Sequence, residues 1–167
     1  MGYLEFCSNC GEKNQFGEKD GNKRYFCSQC STIHYENPKP TAILICMHQN
    51  QLLLVKRAVD PGKGMWGLPG GFIERGETPE MGAQRELLEE TNLQGSVSNF
   101  LGTCSHFNTV FGDILLMGME LQIEDWSSLK AGDDAEEAIL FPFDELPKLA
   151  FPCHEKIVDL YKRQNTA

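Results

Sequence analysis

The segment RELLEETN, residues 85–92, sets Glu86, Glu89 and Glu90 at spacings of i, i+3 and i+4. On a helix these carboxylates crowd onto one side. Two of them about 6 Å apart repel by roughly 3 kcal/mol at an effective dielectric near 20, before exposure and salt reduce the figure. A divalent cation among them reverses the sign, and clustered hard oxygen ligands suit Mg2+ or Mn2+. The ordinary alternative is a solvated acidic face. Such a face normally mixes signs, with Lys or Arg four residues away, and only Arg85 lies close here. Gly82 falls on the same side, where a helix-interior glycine costs about 1 kcal/mol relative to alanine. Its missing side chain leaves room for an approaching group.

A second constellation is cysteine-based. Cys7/Cys10 and Cys27/Cys30 are two Cys-x-x-Cys pairs separated by sixteen residues. That spacing lets each pair grip one side of a tetrahedral Zn2+. Redox chemistry, the alternative, needs only one pair. Four thiolates leave no open coordination position, so the zinc is expected to be structural. His34 lies near enough in sequence to join, but four cysteines suffice.

These groups need elements to hold them. Thr78 followed by Pro79 is a helix start, a threonine N-cap and a proline at the first position. The helix is expected over Pro79–Thr91, closed by Asn92 in a left-handed conformation. Met81, Ala83, Leu87, Leu88 and Thr91 form the opposite side, expected to be buried. Residues 41–47 and 52–56 read as strands joined in a hairpin. Residues 57–71 read as a Gly/Pro-rich loop, 96–107 and 113–123 as strands, and 127–137 as an acidic loop. A strand over 138–143 and a helix over 154–164 close the chain. Residues 1–36 are polar and bracketed by the cysteine pairs, and 36–40 (ENPKP) reads as a stiff linker. The expected domains are 1–36 and 37–167.

The stretch GFIERGETPEMGAQRELLEETNL, residues 71–93, resembles the signature of the Nudix hydrolases. Gly71, Glu77, Arg85, Glu86, Glu89, Glu90 and the apolar positions match, and Asn92 stands where the family has Gly. Asparagine is the best substitute for glycine at a left-handed position. GMWGLPGGFIERGE is like the family's approach to this signature. FPFDELPKLAF, residues 141–151, is similar to the closing segment of members acting on ADP-ribose and related dinucleotides. The resemblance covers about residues 39–165. It implies an α+β fold, a mixed β-sheet between helices, preceded by a zinc ribbon. It implies hydrolysis of a nucleoside diphosphate linked to another group, with divalent metal ions. Glu86, Glu89 and Glu90 become metal ligands together with the Gly71 carbonyl, Glu86 being alternatively the general base. Arg85 and Glu77 become an ion pair that holds the loop and helix in place. A further base or ligand often comes from a loop outside the signature, and Glu136 and Glu137 in GDDAEE are candidates beside the solvated-loop alternative. A zinc ribbon before such a domain resembles the bacterial NADH pyrophosphatases, but the Ser-Gln-Pro-Trp array that follows the signature in those enzymes is missing here. ADP-ribose, FAD or a related dinucleotide is therefore the expected substrate class. A triphosphate-sanitising pyrophosphatase and a nucleotide-sensing regulator are the alternatives.

Composition sets bounds. The formal charge of −9 argues against wrapping nucleic acid, which needs a basic footprint. The ribbon itself carries four Lys/Arg against five Asp/Glu, so a structural or dimer-supporting role is expected, in a homodimer without nucleic-acid partners. Its aromatics, Tyr3, Phe6, Phe16, Tyr25 and Phe26, are expected to serve its own packing. No apolar run is long enough for a membrane helix, and the first residues lack a signal-peptide pattern; a cytoplasmic protein is expected. Arg57 and Lys63 are candidate phosphate contacts, and Phe107, with Phe111, a candidate pocket wall; solvation and core packing are the respective alternatives. Trp66 is expected to pack rather than stack on a base. His106 and His154 receive no role, and Cys46, Cys104 and Cys153 read as small buried residues.

Overall fold

A computed structural model describes residues 4–165; Tyr3 lies outside them. The chain divides into two compact units between Asn37 and Pro38.

The first unit is a three-stranded antiparallel sheet, β1 (Gln15–Lys19), β2 (Asn22–Phe26) and β3 (Ile33–His34). Asp20 and Gly21 turn β1 into β2 with φ of 52° and 74°, the double left-handed geometry of a tight hairpin. The two cysteine pairs sit on matching loops. Cys7 N–H donates to Glu12 O at 2.7 Å, and Cys27 N–H donates to Thr32 O at 2.8 Å. Phe6 is exposed, contrary to the packing role expected; Phe16 is exposed too but rests against Tyr25, ring centroids 4.9 Å apart. So small a sheet has no second layer to cover them.

The second unit carries β4 (Lys39–His48), β5 (Gln51–Arg57), β6 (Trp66–Gly67), β7 (Gly70–Phe72), α1 (Pro79–Thr91), β8 (Ser96–Thr109), β9 (Gly112–Gln122), β10 (Ala135–Pro142) and α2 (Pro152–Asn165). The sheet runs β10-β5-β4-β9-β8. It is mixed: β4 and β9 are parallel and the other pairs antiparallel. Strand parity sorts the core. Ala42, Leu44 and Cys46 of β4 pack with Leu53 and Met119 against Ala83 and Leu87 of α1. Ile43 and Ile45 pack with Leu52, Leu54 and Leu116 against Ile157 and Val158 of α2. The sheet is thus sandwiched between the two helices, the α+β architecture expected.

The β4–β5 hairpin closes through Gln49 and Asn50, both at positive φ, but its strands pair only beside the turn, at Met47–Leu52 and His48–Gln51. Further along they part. β7 fills in beside β4, with Thr41 opposite Phe72 and Ile43 opposite Gly70, and β6 fills in beside β5. The loop expected over 57–71 is therefore partly strand. Elements of two or three residues have no periodicity of their own and exist only through their partners. The linker is shorter than expected, because β4 starts at Lys39. The acidic loop is shorter too, since β10 takes up Ala135–Glu137. Trp66 packs edge-on to Phe141 at 4.8 Å. No helix among the described residues is long and apolar enough to cross a membrane.

Candidate active site

α1 starts and stops where its residues dictate. Thr78 accepts from Met81 N–H, Pro79 occupies the first turn, and Asn92 closes the helix at φ 57° with its N–H on Leu88 O. Its orientation differs from the simple amphipathic expectation. Met81 and Leu88 are exposed, whereas Gly82 and Glu90 are buried along with Ala83, Leu87 and Thr91. The stripe Gly82–Glu86–Glu90 faces the 70–77 segment. A Cβ on Gly82 would come within 3.3 Å of Ile73 and of the Glu77 carboxylate. The room left by Gly82 is therefore filled by this chain's own loop. Burial of the acidic stripe outweighs burial of two flexible apolar side chains because the segment is pinned to it.

The pins are specific. Gly70 N–H donates to Glu90 Oε2 at 2.8 Å. Gly70 has φ 138°, and a Cβ there would lie 2.1 Å from Ala42 O, so only glycine fits. A Cβ on Gly71 would lie 2.5–2.7 Å from the Glu86 carboxylate; that carboxylate rests directly on the Gly71 backbone. Arg85 grips Glu77 with two nitrogens, Nε to Oε1 at 2.7 Å and Nη2 to Oε2 at 3.0 Å. Its Nη2 also donates to Phe72 O at 2.8 Å. Its Nη1 reaches Glu86 at 2.7 Å and Glu89 at 2.8 Å. One guanidinium thereby ties the loop, β7 and the helix together, as the Arg85–Glu77 pair was expected to do.

A residue that sequence reasoning passed over joins them. The segment after α1 folds back onto the helix C-terminus: Lys130 N–H donates to Thr91 O at 3.0 Å and Gly132 N–H to Glu90 O at 3.1 Å. This capping carries Asp133 and Asp134 to the pocket, where the charge of Asp134 acts on Glu90. Glu136 and Glu137, the expected candidates in this stretch, point elsewhere and pair with Lys56 at 3.7 and 2.7 Å. The acidic run signalled the segment; only its fold-back decides which acids arrive.

Electrostatics at the cluster are strained. Burial pushes the Glu90 carboxyl well above the ordinary range; the Gly70 N–H opposes this and the Asp134 charge adds to it. Burial also raises Glu86, with Arg85 pulling the other way. Glu77 is held down to about 2 by its hydrogen bonds to Arg85. A carboxylate only 4% exposed, facing a second acid, calls for a proton or a cation. The donor set is carboxylate oxygen, which fits a hard divalent ion. The three glutamates are not gathered around one point, since Arg85 holds Glu86 and Glu89 while Glu90 turns to Gly70. Among the described residues the only group of three or more acid, histidine or cysteine side chains with ligand atoms all within 4.8 Å of one another is that of the four cysteines.

Those cysteines fit zinc. Cys7 and Cys30 Sγ stand 3.6 Å apart, Cys10 and Cys27 Sγ 3.5 Å. A tetrahedron with Zn–S bonds of about 2.3 Å has edges near 3.8 Å, and a disulfide would need about 2 Å.

The glutamates open onto a pocket of about 390 Å3. Arg57 lines it, its Nε donating to Pro61 O at 2.7 Å. Lys63 and Phe107 do not line it; Phe107 is 62% exposed. Phe111 does, edge-on to Phe72 at 5.5 Å. Strand alternation separates neighbours on β8, so His106 lines the pocket and Phe107 does not. His154, given no role from sequence, also lines it. Its Nδ1 accepts from Leu68 N–H at 3.0 Å, and burial, with Arg57 and His106 nearby, lowers its pKa to about 3. Cys46 and Cys153 are buried as expected, whereas Cys104 is only half-buried.

Comparison with known proteins follows this geometry. Residues 37–161 match the family model described as NUDIX domain, and residues 5–36 match that described as Nudix N-terminal, a zinc ribbon. An ADP-ribose pyrophosphatase of Methanocaldococcus jannaschii is 42% identical over 130 residues, covering 77% of this chain and 76% of that protein. The NAD-capped RNA hydrolase NudC of Pseudomonas aeruginosa is 28% identical over 160 residues, 93% of this chain but only 55% of NudC. The chain thus spans about half the length of that relative. The crystal structure of a NUDIX hydrolase from Nitrosomonas europaea superposes with a TM-score of 0.83 at 32% identity, covering 96% of this chain and 93% of that one.

Proposed function

The chain belongs to the NUDIX family of hydrolases, which cleave nucleoside diphosphate-linked moieties, and from that membership we propose that its substrate is ADP-ribose or a closely related dinucleotide, cut to a nucleoside monophosphate with Mg2+ or Mn2+. The observation that carries this reading is the charge layout of the pocket: Glu86, Glu89, Glu90, Asp133 and Asp134 at one end, and Arg57 as a cation on the wall. The similarity to the archaeal ADP-ribose pyrophosphatase supports the choice of substrate.

In this reading Glu86, Glu89, Glu90 and the Gly71 carbonyl hold the ions, with Asp134 as the added acid. When bound, the ions would neutralise the diphosphate charge and acidify a coordinated water. The chain's own part is placement. Glu77 anchors Arg85, and Arg85 keeps Glu86 and Glu89 at fixed positions relative to β7. The same guanidinium offsets the repulsion among the glutamates until cations arrive. Glu90, seated on Gly70 N–H, sets the depth of the anionic end. Arg57 meets the diphosphate from the opposite wall. The four cysteines hold Zn2+ and take no part in the chemistry. A homodimer belongs to the same reading, supported by β8 lying at the sheet edge with Phe100 and Phe107 exposed.

A substrate panel tests it: ADP-ribose, FAD, NADH, NAD, diadenosine polyphosphates and modified nucleoside triphosphates, each with Mg2+ and with Mn2+, products separated by chromatography. AMP from ADP-ribose is the expected result. Cleavage of triphosphates alone would overturn the substrate assignment, and silence across the panel would overturn the activity.

A further inference from the structure

The backbone groups that seat Glu86 and Glu90 belong to a strap, and part of its hold comes from the other end of the chain. Residues 66–72, WGLPGGF, run through the opening where β4 and β5 part. The strap has little grip of its own. Three glycines leave its backbone free to turn, and Pro69 has no N–H to give. β7 offers only three residues to β4. Its backbone groups are instead tied to several elements in succession. Trp66 O accepts from Ala150 N–H at 2.7 Å, and Pro69 O accepts from Leu44 N–H at 2.9 Å. Gly70 N–H donates to Glu90 Oε2 at 2.8 Å. Between these, Leu68 N–H, on a residue only 2% exposed, donates to His154 Nδ1 at 3.0 Å.

His154 is rigidly placed for that contact. It lies in the first turn of α2, buried like Cys153, Ile157 and Val158, which anchor the helix to the core. The Phe151 ring meets its imidazole edge-on at 5.3 Å. Gly67 leaves room for the ring, since a Cβ there would come within 3.3 Å of Nδ1 and 3.4 Å of Cε1. With Nδ1 accepting, the proton of the neutral ring sits on Nε2. The path from Leu68 to the glutamates is short and stiff. Pro69 has its φ locked near about −65°. Gly70 and Gly71 then lie against β4, opposite Ile43 and Ala42. A shift at Leu68 is carried to the Gly70 N–H under Glu90 and to the Gly71 backbone under Glu86.

We infer that His154 is a positioning residue for the hydrolysis: through Leu68 N–H it fixes the strap at the height where Gly70 seats Glu90 and Gly71 supports Glu86. The inference deepens the metal-dependent reading above and rests on it. An apolar side chain at 154 would fill the same space. It would also leave Leu68 N–H buried without a partner, and the strap would move to find one. A histidine kept only for packing would affect stability and leave the glutamates where they are.

The test compares two replacements with opposite defects, in the full chain with zinc bound. His154→Asn keeps an acceptor near the Nδ1 position and leaves a hole. His154→Leu fills the volume and offers no acceptor. Packing ranks Leu above Asn, and positioning ranks Asn above Leu. His154→Leu is expected to lower kcat on ADP-ribose with Mg2+ by about tenfold, the scale of one hydrogen bond, while His154→Asn stays within about threefold of the parent. Mn2+ binding without substrate, read from the paramagnetic resonance of the free ion, is expected to weaken by roughly three- to tenfold in His154→Leu and to hold in His154→Asn. Gly67→Ala displaces the ring while leaving its acceptor intact, and is expected to lower kcat by about threefold. That variant carries the test if His154→Leu does not fold. Equal kcat and equal Mn2+ affinity in His154→Leu and His154→Asn, or parental kcat in Gly67→Ala, overturns the positioning role. If ADP-ribose is not hydrolysed, the substrate reading has failed separately. The Mn2+ titration then decides alone: weaker binding in His154→Leu than in His154→Asn supports the inference, and no difference overturns it.

Discussion

Replacing Gly71 by alanine tests whether the position of the Glu86 carboxylate governs turnover. The added methyl group would stand 2.5 Å from one carboxylate oxygen and 2.6 Å from the carboxyl carbon, where ordinary contact begins at 3.4 Å. Glu86 must therefore retreat by ~1 Å, and misplacement on that scale at a reacting centre costs ~10²-fold in rate. The carboxylate is the end of a flexible side chain and Gly71 is not at positive φ, so the backbone need not move and stability should change by under ~1 kcal/mol. Gly70 is the control. At φ 138° with Ala42 O only 2.1 Å from a would-be Cβ, Gly70→Ala should lose about 2–5 kcal/mol from backbone strain and overpacking together. Steady-state kinetics with Mg2+ and with Mn2+, beside thermal melts of both variants, separate the outcomes. Full turnover in Gly71→Ala with an unaltered melt would refute the idea that Glu86 must rest on the Gly71 backbone.

Glu90→Gln should stabilise the metal-free protein, because it removes a buried ionisable carboxyl while Gln can still accept from Gly70 N–H. The same change should lower turnover by orders of magnitude; a loss of both stability and activity would contradict the strain assigned to Glu90. Asp134→Asn should depress activity without harming the fold, because Ala58 N–H bonds to the Asp134 backbone oxygen and not to its side chain; wild-type kinetics in this variant would remove Asp134 from the site. Glu77 has its folded pKa held below the usual 4.5, to about 2. Its stabilisation is therefore present above pH 4.5 and is lost as pH falls from there toward 2. Acid titration followed by circular dichroism should show a shallower loss over that window in Glu77→Gln, and an identical profile would count against the ion pair. Metal analysis should find about one zinc per chain, and none in a Cys7→Ser/Cys27→Ser double variant.

The local elements were legible because their signals are local. Thr78-Pro79 and Asn92 bound α1 through backbone chemistry that acts within a few residues. β-branched and leucine-rich runs marked β4 and β5, and the spacing of Cys7, Cys10, Cys27 and Cys30 marked a tetrathiolate group. The crowding of Glu86, Glu89 and Glu90 pointed to a cation by Coulomb's law alone, and the Nudix resemblance rests on the same residues. What periodicity could not supply was the direction each face turns. α1 buries Gly82 and Glu90 and exposes Met81 and Leu88, because the 70–77 segment is tied to the acidic stripe by Arg85 and by Gly70 N–H.

The same limit explains the rest of the site. Asp133 and Asp134 reach the pocket, and Glu136 and Glu137 do not, because Lys130 and Gly132 cap the end of α1 and β10 begins immediately afterwards. His106 faces the pocket while Phe107 faces away, by strand alternation around a bulge that no short-range pattern announces. Thr41 and His154 lie more than a hundred residues apart and line one pocket because α2 packs across the face of the sheet to which β4 turns its odd-numbered residues. Sequence alone was enough for the long elements, the caps of α1 and the chemical character of the glutamate and cysteine sets, all of which act over a few bonds or one turn. The tertiary structure alone decided which side chains share the cavity, since that depends on strand pairing and helix packing between residues distant along the chain.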